Sequence, residues 1–261
     1  MNYRQIYRRK RIISKGLSAK KCTNALSGLF NYSCRRSDLT NWPMIIKVDT
    51  TPLCQLRCPI CIHTKNPAYE KQVLRSDIKM SLSTFEKLLD QVADFIIGMS
   101  MHYLGEPFMN SDLLVMCSMA NERGINTYAN TNFSFKFLDE KIYNIIRSGL
   151  SVITVCVDGF TQETYEKNRV GGNLSLVVDN LKRLVEVKKE LKSETPFIEV
   201  QTLVFDHNRA EIELIREMAN CIGVNQFDTR RGEANITYSD MSIPRVDPLP
   251  PKRILPMCFW P

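Results

Sequence analysis

Asp49-Thr50-Thr51-Pro52-Leu53-Cys54-Gln55-Leu56-Arg57-Cys58-Pro59-Ile60-Cys61 carries three cysteines at C-x3-C-x2-C spacing. Cysteine is a scarce residue, and such clustering without a visible secretory signal points to a metal site in a reducing compartment rather than a disulfide frame. Three thiolates suit a cubane [4Fe–4S] cluster, holding three irons and leaving the fourth open to a small chelating ligand. The spacing also admits zinc, because His63 follows Cys61 by two residues and could complete a Cys3His set with Cys54, Cys58 and Cys61. No matching Cys/His pair lies downstream to build a larger zinc module.

The residues on either side set this loop in a repeating pattern. A strand is expected over 45–49, so the cysteines follow its carboxyl end, where sites assemble in parallel α/β proteins. Further strands are expected over 99–104, 126–130, 152–158, 198–205 and 224–228. Amphipathic helices are expected over 82–96, 112–123, 138–147, 174–191 and 208–221. In the longest of these, Leu174, Val177, Leu181 and Leu184 share one face. Gly124, Gly149 and Gly223 each follow a helix and precede a strand, where a left-handed cap is wanted. The fold class expected is α/β: six βα units in an open, partial (βα)6 TIM-like barrel of parallel strands, with a basic N-terminal helical extension. A doubly wound sheet is the alternative.

The net charge of +7 over 261 residues is unevenly spread. Residues 1–36 hold ten Lys/Arg and no Asp or Glu, leaving 25 basic against 28 acidic residues elsewhere. The basic character therefore belongs to the N-terminal extension, which suits a phosphate-rich or anionic surface, a solvated helix face or a transit segment. Nucleic acid is not the partner expected of the body. No apolar run approaches the ~18–20 residues of a membrane span. Residues 244–261 contain six prolines and end in Met257-Cys258-Phe259-Trp260-Pro261, an extended linker leading into a cluster that needs a packing partner. Three segments are expected: a basic extension over 1–42, the barrel core over 43–235, and a Pro-rich tail over 236–261.

At the cysteine motif the chain resembles the radical S-adenosylmethionine superfamily, whose signature CxxxCxxC lies in the loop after the first strand. The resemblance spans about residues 43–260 and adds several stretches. Leu104-Gly105-Glu106-Pro107 is similar to the family's GGEP motif, with Leu104 in place of the first glycine. Asn130-Thr131-Asn132-Phe133 is similar to its TNG segment, with Phe133 in place of glycine. Thr154, Cys156 and Asp158 share the polar face of the fourth strand, where the family often has Ser-x-Asp-Gly. Tyr165, Arg169, Gly171 and Gly172 match the YxxxR-x-GG stretch of the SPASM/twitch branch, and Cys258-Phe259-Trp260 resembles the first cysteine of a SPASM domain whose later cysteines are absent.

The resemblance implies a [4Fe–4S] cluster on Cys54, Cys58 and Cys61 whose open iron binds the amino and carboxylate groups of S-adenosylmethionine. It implies cofactor contacts from Gly105, Glu106, Pro107, Thr131, Asn132, Asp158 and Arg169. Reductive cleavage to methionine and a 5′-deoxyadenosyl radical would follow, with hydrogen abstraction from a peptide or small polar substrate. Glu199, Gln201 and Arg230 are candidates for the substrate side. A flavodoxin or ferredoxin would supply the electron, in the cytoplasm. Two other readings stay open: a zinc-stabilised protein using its basic arm on a polyanion, and a truncated family member that binds cofactor without turnover.

Overall fold

The computed structural model describes residues 16–61, 64 and 78–231. His63, the distal part of the basic arm, the proline-rich tail and Cys258 lie outside the described residues. The described strands are β1 (Ile45–Lys47), β2 (Gly98–Ser100), β3 (Asn126–Thr131), β4 (Val152–Cys156), β5 (Phe197–Val204) and β6 (Gln226–Arg231). They form one sheet in the order β1-β2-β3-β4-β5-β6, every neighbouring pair parallel. A doubly wound sheet reverses strand order at a switch point. This one advances in a single direction from first strand to last and is not closed, which is the open-barrel alternative.

The α-helices among the described residues are α1 (Ala19–Ser33), α2 (Leu82–Val92), α3 (Leu113–Glu122), α4 (Asp139–Arg147), α5 (Gln162–Asn168), α6 (Leu174–Glu190) and α7 (Ile212–Ile222). Helix α6 begins where the Asn173 side chain accepts from the Leu176 N–H, and it buries Leu174, Val177, Leu181 and Leu184 as its periodicity requires. Gly124, Gly149 and Gly223 have φ of +65°, +70° and +89°, left-handed as their positions demanded.

The two faces of the sheet differ in chemistry. Met99, Ala129, Ile153, Val155, Ile198 and Val200 join the helices in one hydrophobic core. Alternate residues, among them Ser100, Thr154, Cys156, Glu199 and Gln201, take the opposite, polar face. Across it Thr154 and Gln226 each donate to the Glu199 carboxylate, at 2.8 and 2.9 Å. Arg230 stands at the exposed end of β6, 3.7 Å from Asp228.

Several boundaries differ from the periodicity. β2 stops at Ser100, four residues short of the expected end, because the chain turns there into the loop carrying Glu106. The expected helix over 208–221 is split into a 3-10 segment, Asp206–Glu211, and α7. The Asn208 side chain anchors the start of the 3-10 segment by donating to Asp158 O and Leu203 O while accepting from the Phe205 N–H. Helix α5, which too short a periodicity concealed, starts at Thr161, whose hydroxyl accepts from the Thr164 N–H.

Candidate active site

The cysteine loop leaves β1 and is tied down on both sides before it reaches its first thiol. The Val48 N–H donates to Ser100 O at 2.8 Å, extending the pairing of β1 with β2. The Asn110 side-chain amide donates to the carbonyls of Thr50 and Met80, and the Thr51 hydroxyl donates to Ile78 O. Farther on, the Glu106 N–H donates to Leu53 O and the Arg57 N–H to Val170 O. The loop carrying the thiols is thus clamped between the Gly105–Pro107 turn and the segment containing Arg169.

Gly105 is required by this clamp. A β-carbon there would lie 1.9 Å from Thr51 O, well inside contact distance, so only glycine lets the two backbones meet. Glu106 then caps a 3-10 turn, Pro107–Met109, with Pro107 at its first position. Its carboxylate is buried and accepts from the Thr131 hydroxyl at 2.7 Å, the Asn132 N–H at 2.8 Å and the Phe108 N–H at 3.2 Å. Burial is the larger effect, and it pushes the Glu106 carboxyl up to about 7 despite these three donors.

Asn132 links this carboxylate to the cysteines. Its backbone N–H meets Glu106, and its side chain exchanges hydrogen bonds with Gln55 at 2.9 and 3.3 Å. Its Nδ2 also lies 4.0 Å from Cys54 Sγ. The following Phe133 has φ +54°, a left-handed conformation disfavoured by roughly 1–2 kcal/mol for a residue with a β-carbon. Compensation comes from packing: the ring is fully buried, 5.9 Å from the Phe108 ring and 5.3 Å from that of Phe137. Asn180 adds hydrogen bonds to the carbonyls of Phe133 and Phe135.

On the other side of the loop stands a buried ion pair. Asp158 Oδ2 accepts from Arg169 Nε and Asn168 Nδ2, both at 2.6 Å, and Oδ1 accepts from the Leu203 N–H at 2.8 Å. Arg169 is 14% exposed and directs Nη1 to 4.0 Å from Cys58 Sγ. Asp158 therefore meets Arg169 rather than solvent, and the ion pair is internal rather than the surface pair that an arginine on a loop suggests. Within one helical turn of it, the Tyr165 hydroxyl and Asn168 Oδ1 are buried and have no hydrogen-bond partner among the described residues. Cys156 sits beside this pair, its thiol pushed up to about 11 by burial, with Arg169 opposing the rise.

Cys54 and Cys58 respond to the groups on either side of the loop. Burial pushes the Cys54 thiol up to about 12, and Glu106, Cys58 and Cys61 add to the rise. Burial also raises Cys58, while the Arg169 guanidinium opposes it. Thiolates that are buried and repel one another need a cation to exist as thiolates. Among the described residues no three His, Cys, Asp or Glu side chains already converge as ligands of one ion. A cubane asks less of them, since each thiolate binds a different iron. The donor set, with Cys58 buried and Cys54 and Cys61 partly so, and the orphaned atoms beside Arg169 fit a [4Fe–4S] group with a polar ligand.

Gln55 and Asn168 are site residues that motif reading passed over. Gln55 is a polar residue inside the cysteine loop, which was the available signal; Asn168 precedes Arg169 and shares its carboxylate partner. His102 lies next to Asn130, whose N–H donates to its Nδ1 at 3.1 Å, and burial lowers it to about 4, so the ring is neutral at physiological pH.

Comparison with known proteins places the fold and the family. A PqqA peptide cyclase of Granulibacter bethesdensis is 25% identical over 213 residues, covering 81% of this chain and 52% of that protein. The crystal structure of Streptococcus suis SuiB bound to S-adenosylmethionine superposes with a TM-score of 0.59 at 13% identity, over 81% of this chain and 45% of the other. SuiB bound to its precursor peptide SuiA gives 0.58 at 14% identity, over 79% and 43%. At such identities the structural likeness speaks for the fold, and the chain spans about half the length of these relatives. The Radical SAM superfamily profile matches residues 48–219, a span that contains the cysteine loop, Glu106, Asn132, Asp158 and Arg169. With most of its length inside that match, this chain belongs to the radical SAM superfamily.

Proposed function

We propose that this chain forms the cluster- and cofactor-binding part of a radical SAM enzyme that modifies a peptide. The observation that carries the reading is the cysteine loop held between two differently charged groups, Glu106 on one side and Arg169 on the other. Cys54, Cys58 and Cys61 would hold a [4Fe–4S] cluster, which with S-adenosylmethionine would supply radical chemistry for hydrogen abstraction.

The residues of this chain do the positioning. Among the described residues, the buried Glu106 carboxylate is met by neutral hydrogen-bond donors, so an ammonium group is its natural complement. Thr131 and Asn132 hold it in place, and Gly105 and Pro107 bring its turn against the loop. Arg169 offers its remaining guanidinium donors to a carboxylate, while Asp158 holds it from behind. In this reading Asp158 acts through Arg169. The polar strand face bearing Thr154, Glu199 and Gln201 is the substrate side.

A peptide is favoured over a small metabolite because the PqqA peptide cyclase relative acts on a peptide by its name, and SuiB was solved with a precursor peptide. A low-potential flavodoxin or ferredoxin is the electron donor in this scheme, and the cytoplasm its compartment. The test is anaerobic reconstitution followed by iron and sulfide analysis, then dithionite with S-adenosylmethionine. The expected outcome is about four irons per chain and 5′-deoxyadenosine formation that Cys58→Ala abolishes. One zinc and no iron, or equal product from the Cys58→Ala chain, would defeat the proposal.

A further inference from the structure

Helix α1 is turned inside out relative to the other amphipathic helices. The face it lays on the barrel is polar: Lys21, Asn24 and Asn31 are its buried residues. Lys21 is 3% exposed and donates through Nζ to Arg123 O and Gly124 O at the end of α3. The Asn24 amide donates to Trp42 O and Phe95 O, and its oxygen accepts from the Trp42 N–H. Asn31 binds the side chains of Thr40 and Asn41. The opposite face carries Leu26, Leu29 and Phe30 at i, i+3, i+4 spacing, and these are 66%, 59% and 57% exposed. Directional hydrogen bonds fix the rotation of the helix, so the apolar face cannot turn inward without breaking them.

We propose that this face docks onto an anionic membrane surface. Charge selects the occupant. The segment 1–36 has ten basic and no acidic residues; among the described ones Lys21 is buried beneath the helix and Lys20 pairs with Asp94, while Arg35 and Arg36 are exposed directly after the helix. A second copy would bring twice that charge into one interface, which opposes self-association. Nucleic acid would use the charge and leave the leucines and Phe30 unexplained. An interfacial helix uses both: apolar side chains enter the headgroup boundary while flanking Lys/Arg meet anionic lipid. No helix among the described residues is long and apolar enough to cross a membrane.

The test is cosedimentation of the full chain with vesicles of phosphatidylcholine alone or mixed with phosphatidylglycerol. The bound fraction should be at least ~10-fold higher on the mixed vesicles and should fall as salt is raised. The triple variant Leu26→Gln, Leu29→Gln, Phe30→Gln should lower binding about tenfold while keeping its melting temperature, because these side chains are exposed. Arg35→Glu with Arg36→Glu leaves the apolar face intact and should weaken binding too, which keeps the test valid if the triple variant misfolds. No vesicle binding, equal binding to neutral vesicles, or binding indifferent to both variants overturns the proposal. So does a dimer that the triple variant dissociates, or retention on RNA but not on vesicles.

Discussion

Two buried carboxylates flank the cysteine loop and are satisfied in opposite ways. Glu106 is held by a hydroxyl and two backbone N–H groups, all neutral. Asp158 is held by a guanidinium, an amide and a backbone N–H, so its charge is already matched. Both are buried, but among the described residues only Asp158 has a cation within hydrogen-bond reach. A carboxylate paired internally serves to position its partner; in the function proposed above, the one left among neutral donors receives the cationic group of a ligand.

The largest expected effect comes from breaking the matched side. Asp158→Ala leaves Arg169 buried and unpaired and should cost about 3–5 kcal/mol, read from urea unfolding. A midpoint unchanged from the parent would mean that Arg169 does not depend on its partner. Phe133→Gly tests the support of Glu106 from behind: relief of the left-handed strain is outweighed by loss of the buried ring. The net loss should be ~2–3 kcal/mol by thermal melting, and a gain in stability would contradict the packing argument.

Glu106→Gln sharpens the comparison by removing charge without volume. S-adenosylmethionine affinity of the reconstituted protein should fall about 10- to 100-fold, the worth of a charge-assisted hydrogen bond, whereas an unchanged affinity would take Glu106 out of the cofactor site.

The smallest effect is a pH dependence of the metal-free chain. Glu106 titrates higher folded, at about 7, than its ordinary value of 4.5, so the folded state binds the proton more tightly than the unfolded one. That contribution to stability is full below the unfolded pKa and is lost as pH rises through 7. Between pH 8 and 6 the metal-free chain should therefore gain on the order of 1 kcal/mol from this group, and Glu106→Gln should remove that slope. An identical slope in the variant would assign the dependence to other groups.

Much of this was legible because the signals are local. The cysteine spacing, Gly105 before Glu106-Pro107, the helix-ending glycines and the stripe along α6 are each set by a few neighbouring residues. Phe133 shows where local reading runs out. A glycine-like position is filled by a residue whose left-handed φ is offset by packing of its ring against Phe108 and Phe137. Arg169 on its loop was equally compatible with a surface pair, and its choice of Asp158 depends on β4, α5 and β5 coming together. The short β2 likewise reflects the loop that follows it rather than its own residues.

The sequence by itself determined the alternating α/β order, the three thiols at the end of β1 and the concentration of positive charge in residues 1–36, since backbone preference and hydrophobic period act over a few residues. Only the tertiary structure decided that one carboxylate beside those thiols is matched and the other is not. It also decided that α1 rests on its polar side and shows its apolar one. Burial, desolvation and hydrogen-bond partnership are properties of groups brought together from distant parts of the chain, and no local pattern encodes them.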